Sequence, residues 1–180
     1  MILFAVVVVL ALLFLVSAYN KGIALKNFVK EAFSTMDVYL KKRWDLVPNL
    51  VEIVKGYSNF EQETLNKVTE LRNKNYTSLS SDEKLKTNSE LGFALSRLIA
   101  VSENYPELKS NEQYAKLMEQ LSEIENDIAN SRKYYNGTVR ELNTFLEVFP
   151  TNIVGQMFNF KKESMFEINE AERENVKVQF

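Results

Sequence analysis

Glu125, Arg132, Asn136 and Asn143 follow one another at steps of seven, four and seven, which on an α-helix sets them along one side. Glu61, Arg72 and Glu103 are the polar residues expected to meet that line from neighbouring helices. Three kinds of chemistry fit such a set. Glu103 and Glu125 are the acid and base of a carboxylate-dependent hydrolase if they share one solvent-connected cleft with separated pKa values. The line is a partner-binding face if it stays accessible. It is a hydrogen-bonded layer that fixes helix register, as a buried Asn does in coiled coils, if it is covered. The register layer is preferred, the partner face second, a catalytic or metal site last.

What the chain lacks narrows the chemistry further. It has no histidine and no cysteine. That excludes Ser-His-Asp triads, Cys-His dyads and the Glu-x-x-His pairs of di-iron bundles. A zinc site would have to use carboxylates alone. Glu61 with Glu63, and Glu123 with Glu125, are pairs two residues apart, so each points to different helix faces. No Gly-rich phosphate loop, nucleophile elbow or EF-hand loop is present. No catalytic residue, cofactor or metal is therefore assigned. A net charge of -2 with dispersed basic residues gives no nucleic-acid footprint. Lys41-Lys42-Arg43 is too short a run, and too far from the N-terminal apolar segment, for an anionic-lipid site; it reads as a solvated helix end. The sequons Asn75-Tyr76-Thr77 and Asn136-Gly137-Thr138 are short, common motifs and carry no weight.

The elements that position these residues read as helices. Only five glycines and three prolines occur in 180 residues, against the many turns of an all-β chain. Apolar residues three and four apart mark a first helix over Asn20–Arg43, with Gly22 a hinge. Trp44–Val47 reads as a short link, and Pro48 opens a second helix running to about Asn73. After a loop over 75–81, Ser80 and Glu83 form a capping box for a third helix that reaches about Asn104. Pro106 turns the chain and Asn111 caps the last long helix, which Pro150 ends. Its stripe from Tyr114 through Leu121, Ile128, Tyr135, Leu142 and Phe149 keeps a coiled-coil-like repeat. The expected class is all-α: an elongated antiparallel four-helix bundle over 20–150, followed by a short amphipathic segment and charged tail over 151–180.

Ahead of this lies Ile2–Ala18, apolar throughout, uncharged, with Ser17 its sole hydroxyl. At ~1.5 Å per residue it spans roughly 25 Å, near a bilayer core of about 30 Å, with Tyr19 as interfacial anchor. Residues 1–19 are thus expected to be an uncleaved transmembrane anchor. Cleavage after Val16-Ser17-Ala18 would instead give a secreted soluble bundle, but no Lys or Arg precedes the run as a signal peptide requires. Lys21, Lys26 and Lys30 follow it closely, which orients the helical domain to the cytoplasm.

Several blocks carry a resemblance. They are Tyr19-Asn20; Leu40-Lys41-Lys42-Arg43-Trp44-Asp45-Leu46-Val47-Pro48-Asn49-Leu50-Val51; Val54-Lys55-Gly56-Tyr57; and Leu98 through Lys109. A later set holds Leu121, Glu125, Ile128, Ala129, Arg132, Tyr135-Asn136, Val139, Asn143 and Phe149-Pro150. Together these resemble the LemA family over nearly the whole chain, with Trp44 where a tyrosine is expected. The resemblance implies a bacterial membrane-anchored helical bundle that acts with other membrane or envelope proteins, and brings no catalytic residue. The expected function is a non-enzymatic interaction or scaffold protein. Its partners would be the lipid bilayer and another membrane protein, and a homo-oligomer stays open.

Overall fold

The computed structural model describes residues 1–56 and 62–166. Among these every regular element is helical: α1 Ile2–Lys55, α2 Gln62–Arg72, a 3₁₀ turn Tyr76–Ser78, α3 Ser81–Ser102, α4 Pro106–Lys109, α5 Glu112–Glu147 and α6 Thr151–Met157. The all-α class stands. Two expectations about the first helices do not. Trp44–Val47 is no link, and Pro48 does not begin a helix; both lie inside the 54 residues of α1. A proline in a helix interior costs ~3 kcal/mol relative to alanine, since it lacks an N–H and crowds the preceding turn. Val47, Leu50, Val51 and Val54 around it are buried. At about 1.5–3 kcal/mol for each such side chain, their burial outweighs the proline. The second expected helix survives only as the end of α1 and as α2. Tyr57 and Glu61, also assigned to it, lie outside the described residues.

One stripe organises α1. Ala18, Gly22, Leu25, Val29, Ala32, Met36, Leu40, Arg43, Val47, Leu50 and Val54 are buried at steps of three and four. Before Ala18 the pattern stops: residues 2–17 are exposed apart from half-buried Leu15. This N-terminal stretch is long and apolar enough to cross a membrane.

The chain divides into two compact units. The first holds residues 1–36 and 130–165, that is the start of α1, the end of α5, and α6. Here Gly22 is no hinge. A Cβ there would lie 3.1 Å from the Phe160 ring and 3.2 Å from Phe145, so glycine permits close packing within a continuous helix. Tyr135 of α5 packs its ring 5.9 Å from Phe33, and its hydroxyl donates to the Ser164 carbonyl at 2.8 Å.

The second unit, among described residues, holds 37–56, 62–129 and Phe166. The end of α1, α2, α3, α4 and the start of α5 meet there. Leu46, Val47 and Leu50 of α1, Leu95 of α3, and Leu117 and Leu121 of α5 converge with no room for water between them. The helix starts follow the sequence closely. Asn111 Oδ1 accepts from the backbone N–H groups of Gln113 and Tyr114 at 2.9 and 3.1 Å. Ser80 and Glu83 form the complete capping box of α3. The Ser80 hydroxyl and then its backbone N–H hold the Glu83 carboxyl below its ordinary pKa.

A depressed carboxyl pKa stabilises the fold above the unfolded value of about 4.3, and that contribution is lost as pH falls through the folded value. Ser80→Ala is therefore expected to lower the thermal midpoint at pH 7. The gap from the parent protein should shrink as pH falls below about 4, which melting curves at a series of pH values will check.

Candidate functional site

Arg43 is the largest fully buried side chain among the described residues, 2% exposed. Helical phase puts it there. It stands three residues after Leu40 and four before Val47, in the apolar stripe of α1. It is not part of a solvated helix end, as its neighbours Lys41 and Lys42 suggested. A guanidinium cannot shed its proton, so burial must be met by hydrogen bonds.

Those bonds come from two other helices of the same unit. Nη1 donates to Glu125 Oε1 and Oε2 at 2.9 and 3.2 Å. Nη2 donates to the Asn88 backbone carbonyl at 2.5 Å and to Asn88 Oδ1 at 3.2 Å. Nε has no hydrogen-bond partner among the described residues. Gly92, one turn beyond Asn88 on α3, makes room: a Cβ there would stand 3.1 Å from Nη1.

The network continues outward. Asn88 Nδ2 donates to the Lys84 carbonyl at 3.1 Å and lies 3.5 Å from the Tyr76 hydroxyl. That hydroxyl donates to Asp37 Oδ1 at 2.5 Å, and Lys84 Nζ donates to Asp37 Oδ2 at 2.6 Å. Trp44 packs its ring 5.1 Å from that of Tyr76, and Lys84 Nζ lies 4.9 Å from the Tyr76 ring centroid. Burial first, then the hydrogen bond to Asp37, pushes the Tyr76 phenol well above its ordinary pKa. Asp37, Arg43, Tyr76, Lys84, Asn88 and Glu125 thus tie α1, the 3₁₀ turn, α3 and α5 together within the second unit.

The expected polar line fares unevenly. Glu125 is in the network, paired with Arg43 rather than with Glu103 or Arg72. Arg72 is exposed at the end of α2. Glu103 is exposed and accepts from Lys109 Nζ at 2.5 Å. Glu61 lies outside the described residues. Arg132, Asn136 and Asn143 fall in the first unit, and all three are half-buried and engaged. Asn143 clamps backbone: its Nδ2 donates to the Glu163 carbonyl and its Oδ1 accepts from the Glu163 N–H, both at 3.0 Å. Glu125 and Asn143 therefore hold different partners in different units. Asp37, Arg43, Tyr76 and Asn88 escaped the sequence reading. For Arg43 the signal was present in the three-four step from Leu40 to Val47. Asn88 and Tyr76 offered none, because only tertiary packing brings them to a guanidinium.

A surface groove of about 490 Å³ lies between α2 and α3, lined by Glu63, Asn66, Lys67, Glu70, Glu90, Phe93, Ala94 and Arg97. Neither Glu103 nor Glu125 lines it. Among the described residues no three acidic side chains gather as a metal site requires.

A sequence model of the LemA family matches residues 32–180. Protein LemA of Metamycoplasma hominis is 27% identical over 84% of this chain and 69% of its own length. Magnetosome protein MamQ 2 of Paramagnetospirillum magneticum is 36% identical over 42% of the chain and 28% of its own length. Magnetosome protein MamQ of Magnetospirillum gryphiswaldense is 21% identical, over 84% of the chain and 65% of its own length.

Removing one partner of a buried charge costs more than removing both. Glu125→Leu strands the guanidinium and is expected to destabilise by about 2–4 kcal/mol, discounted from a fully buried pair because Glu125 stays partly exposed. Arg43→Met alone should cost less, and the double variant less than the sum, in urea denaturation of the four proteins. At the other end, a raised phenol pKa contributes stability present below about pH 10 and lost as pH rises towards the folded value. Tyr76→Phe should lower stability at pH 8 and flatten the decline above pH 10, read from denaturation midpoints at each pH.

Proposed function

The chain belongs to the LemA family, and from that premise we propose that it is an anchored scaffold. In this reading residues 2–18 cross a lipid bilayer, and the helical units that follow bind another membrane or envelope protein without chemistry of their own. The observation that carries it is the abrupt change along one helix. Up to Ser17 the apolar side chains of α1 are exposed except for a half-buried Leu15, with Val7 57% and Leu13 63% exposed. From Ala18 onward its apolar edge is packed. Uncovered aliphatic surface of that length is at equilibrium in hydrocarbon, not water. Lys21, Lys26 and Lys30 after the span favour a cytoplasmic domain.

Within the second unit the reading includes a four-helix bundle made from the end of α1, α2, α3 and the start of α5. Its support is the Arg43 network and the Leu95–Leu117–Leu121 core, which hold three of those helices together. The partner face is then the outer surface of the bundle, and self-association is one use of it. The hydrolase alternative has little to stand on. Glu125 is committed to Arg43 and Glu103 to Lys109, so each carboxylate faces a cation instead of a shared cleft. Tethering favours the scaffold, because confinement to one surface raises effective concentration and lets weak contacts suffice.

Full-length protein is expected in the membrane fraction after alkaline carbonate washing, and a variant lacking residues 2–18 in the supernatant. Crosslinking in intact cells should then join lysines of the helical units to a second membrane protein. Recovery of the parent protein in the supernatant, or a mature mass lacking the first 18 residues, would overturn the anchor.

A further inference from the structure

Among the described residues outside the N-terminal run, exposed large apolar side chains cluster over 148–158, while others such as Phe28, Val38, Phe93 and Tyr134 stand singly. Val148 is 48% exposed, Phe149 80%, Ile153 52%, Met157 59% and Phe158 41%, in the turn after α5, in α6 and at the residue that ends it. Ile153 and Met157 stand four apart on the outer face of α6, while Val154 and Gly155 face inward and are buried. A monomer rarely leaves such a cluster to water.

Its position says what covers it. Phe158 packs against Tyr19 at 4.6 Å between ring centroids, and Tyr19 also lies 6.0 Å from Phe160. Phe145 and Phe160 close on Gly22. The Thr151 hydroxyl donates to the Phe145 carbonyl at 2.6 Å, which holds the start of α6 to the end of α5. So the cluster sits, within the first unit, beside residues 19–22 of α1, where the exposed apolar run stops. That is the level of a bilayer's interfacial zone if residues 2–18 span its core. Lys21, two residues after Tyr19, and Lys161, next to Phe160, are exposed and suited to lipid phosphates.

The geometry points to a second membrane contact: the 148–158 segment lies in the lipid interface with Phe149, Ile153 and Met157 dipped below the headgroups, as interfacial amphipathic segments do. The inference rests on the anchor reading and adds to it a fixed face of the first unit turned to lipid. It commits to a lipid surface because the patch is continuous with the span.

The absence of cysteine makes the test direct. Single variants Leu10→Cys, Ile153→Cys, Met157→Cys and Lys133→Cys of the full chain are labelled with an environment-sensitive fluorophore. They are reconstituted in vesicles of phosphatidylcholine and phosphatidylglycerol, with and without lipids carrying a nitroxide quencher. Quenching is expected at positions 10, 153 and 157, strongest at 153 and 157 for nitroxides near the headgroups, and absent at exposed position 133. Quenching at 10 with 153 and 157 as unquenched as 133 overturns this inference and leaves the anchor standing. No quenching at 10 overturns the anchor itself. Shielding of 153 and 157 that rises with protein density and ignores the lipid quencher assigns the patch to a second copy of the chain, and also overturns the inference.

Discussion

One edge of α1, repeating at three and four residues from Ala18 to Val54, is the constraint that the remaining helices satisfy. A helix with a single buried stripe must find cover along that stripe and leave its other faces wet. In the first unit the cover comes from the end of α5 and from Phe160. In the second it comes from α3 and the start of α5. The stripe also explains why α1 does not break at Pro48. Interrupting it would expose Val47, Leu50 and Val54, each a larger loss than half of what the proline costs.

Arg43 is the exception written into that edge. Replacing an ion pair by apolar side chains of similar volume is often neutral or stabilising, so its burial is weak evidence for stability. In the scaffold reading proposed above its effect is on register. The guanidinium has donors in a fixed planar fork, and only one sliding position of α3 and α5 against α1 presents the Asn88 carbonyl and the Glu125 carboxylate to it. An apolar residue at 43 would tolerate shifts by a turn. In that reading the network does for this unit what a buried asparagine does for a coiled coil. The same logic applies to Asn143, whose amide pairs with both backbone groups of Glu163 and so selects one alignment of the C-terminal segment along α5.

Much of the helical plan was legible in the residues. The capping box at Ser80, the cap at Asn111 and the stripe from Tyr114 to Phe145 are local signals, settled within a turn or two of chain. Pro48 misled because its local preference for a helix start is real, yet smaller than the burial that flanks it. Arg43 misled because charge runs are usually solvated, and its two lysine neighbours hid its helical phase. The polar partners of Arg43 were not legible at all. Which carbonyl or carboxylate reaches a buried guanidinium depends on how α3 and α5 are brought to α1, and no local spacing encodes it. Glu103 shows the converse: it belongs to a motif-rich block, yet it ends exposed beside Lys109.

A fixed helix register bears on how an anchored helical protein can act on a partner. Anchoring by one span leaves rotation about the membrane normal and tilt both free, so a binding face on the helical units would sample many orientations. Each additional lipid contact near the span removes tilt, because a patch beside residues 19–22 can stay in the interface only over a narrow range of angles. Ordering of this kind lowers the entropy still to be lost on association, which is the same gain that preorganisation gives a ligand. A rigid internal register would complement it. Helices that cannot slide present one surface pattern instead of several, and a surface held to one pattern and a narrow tilt can bind selectively with few contacts.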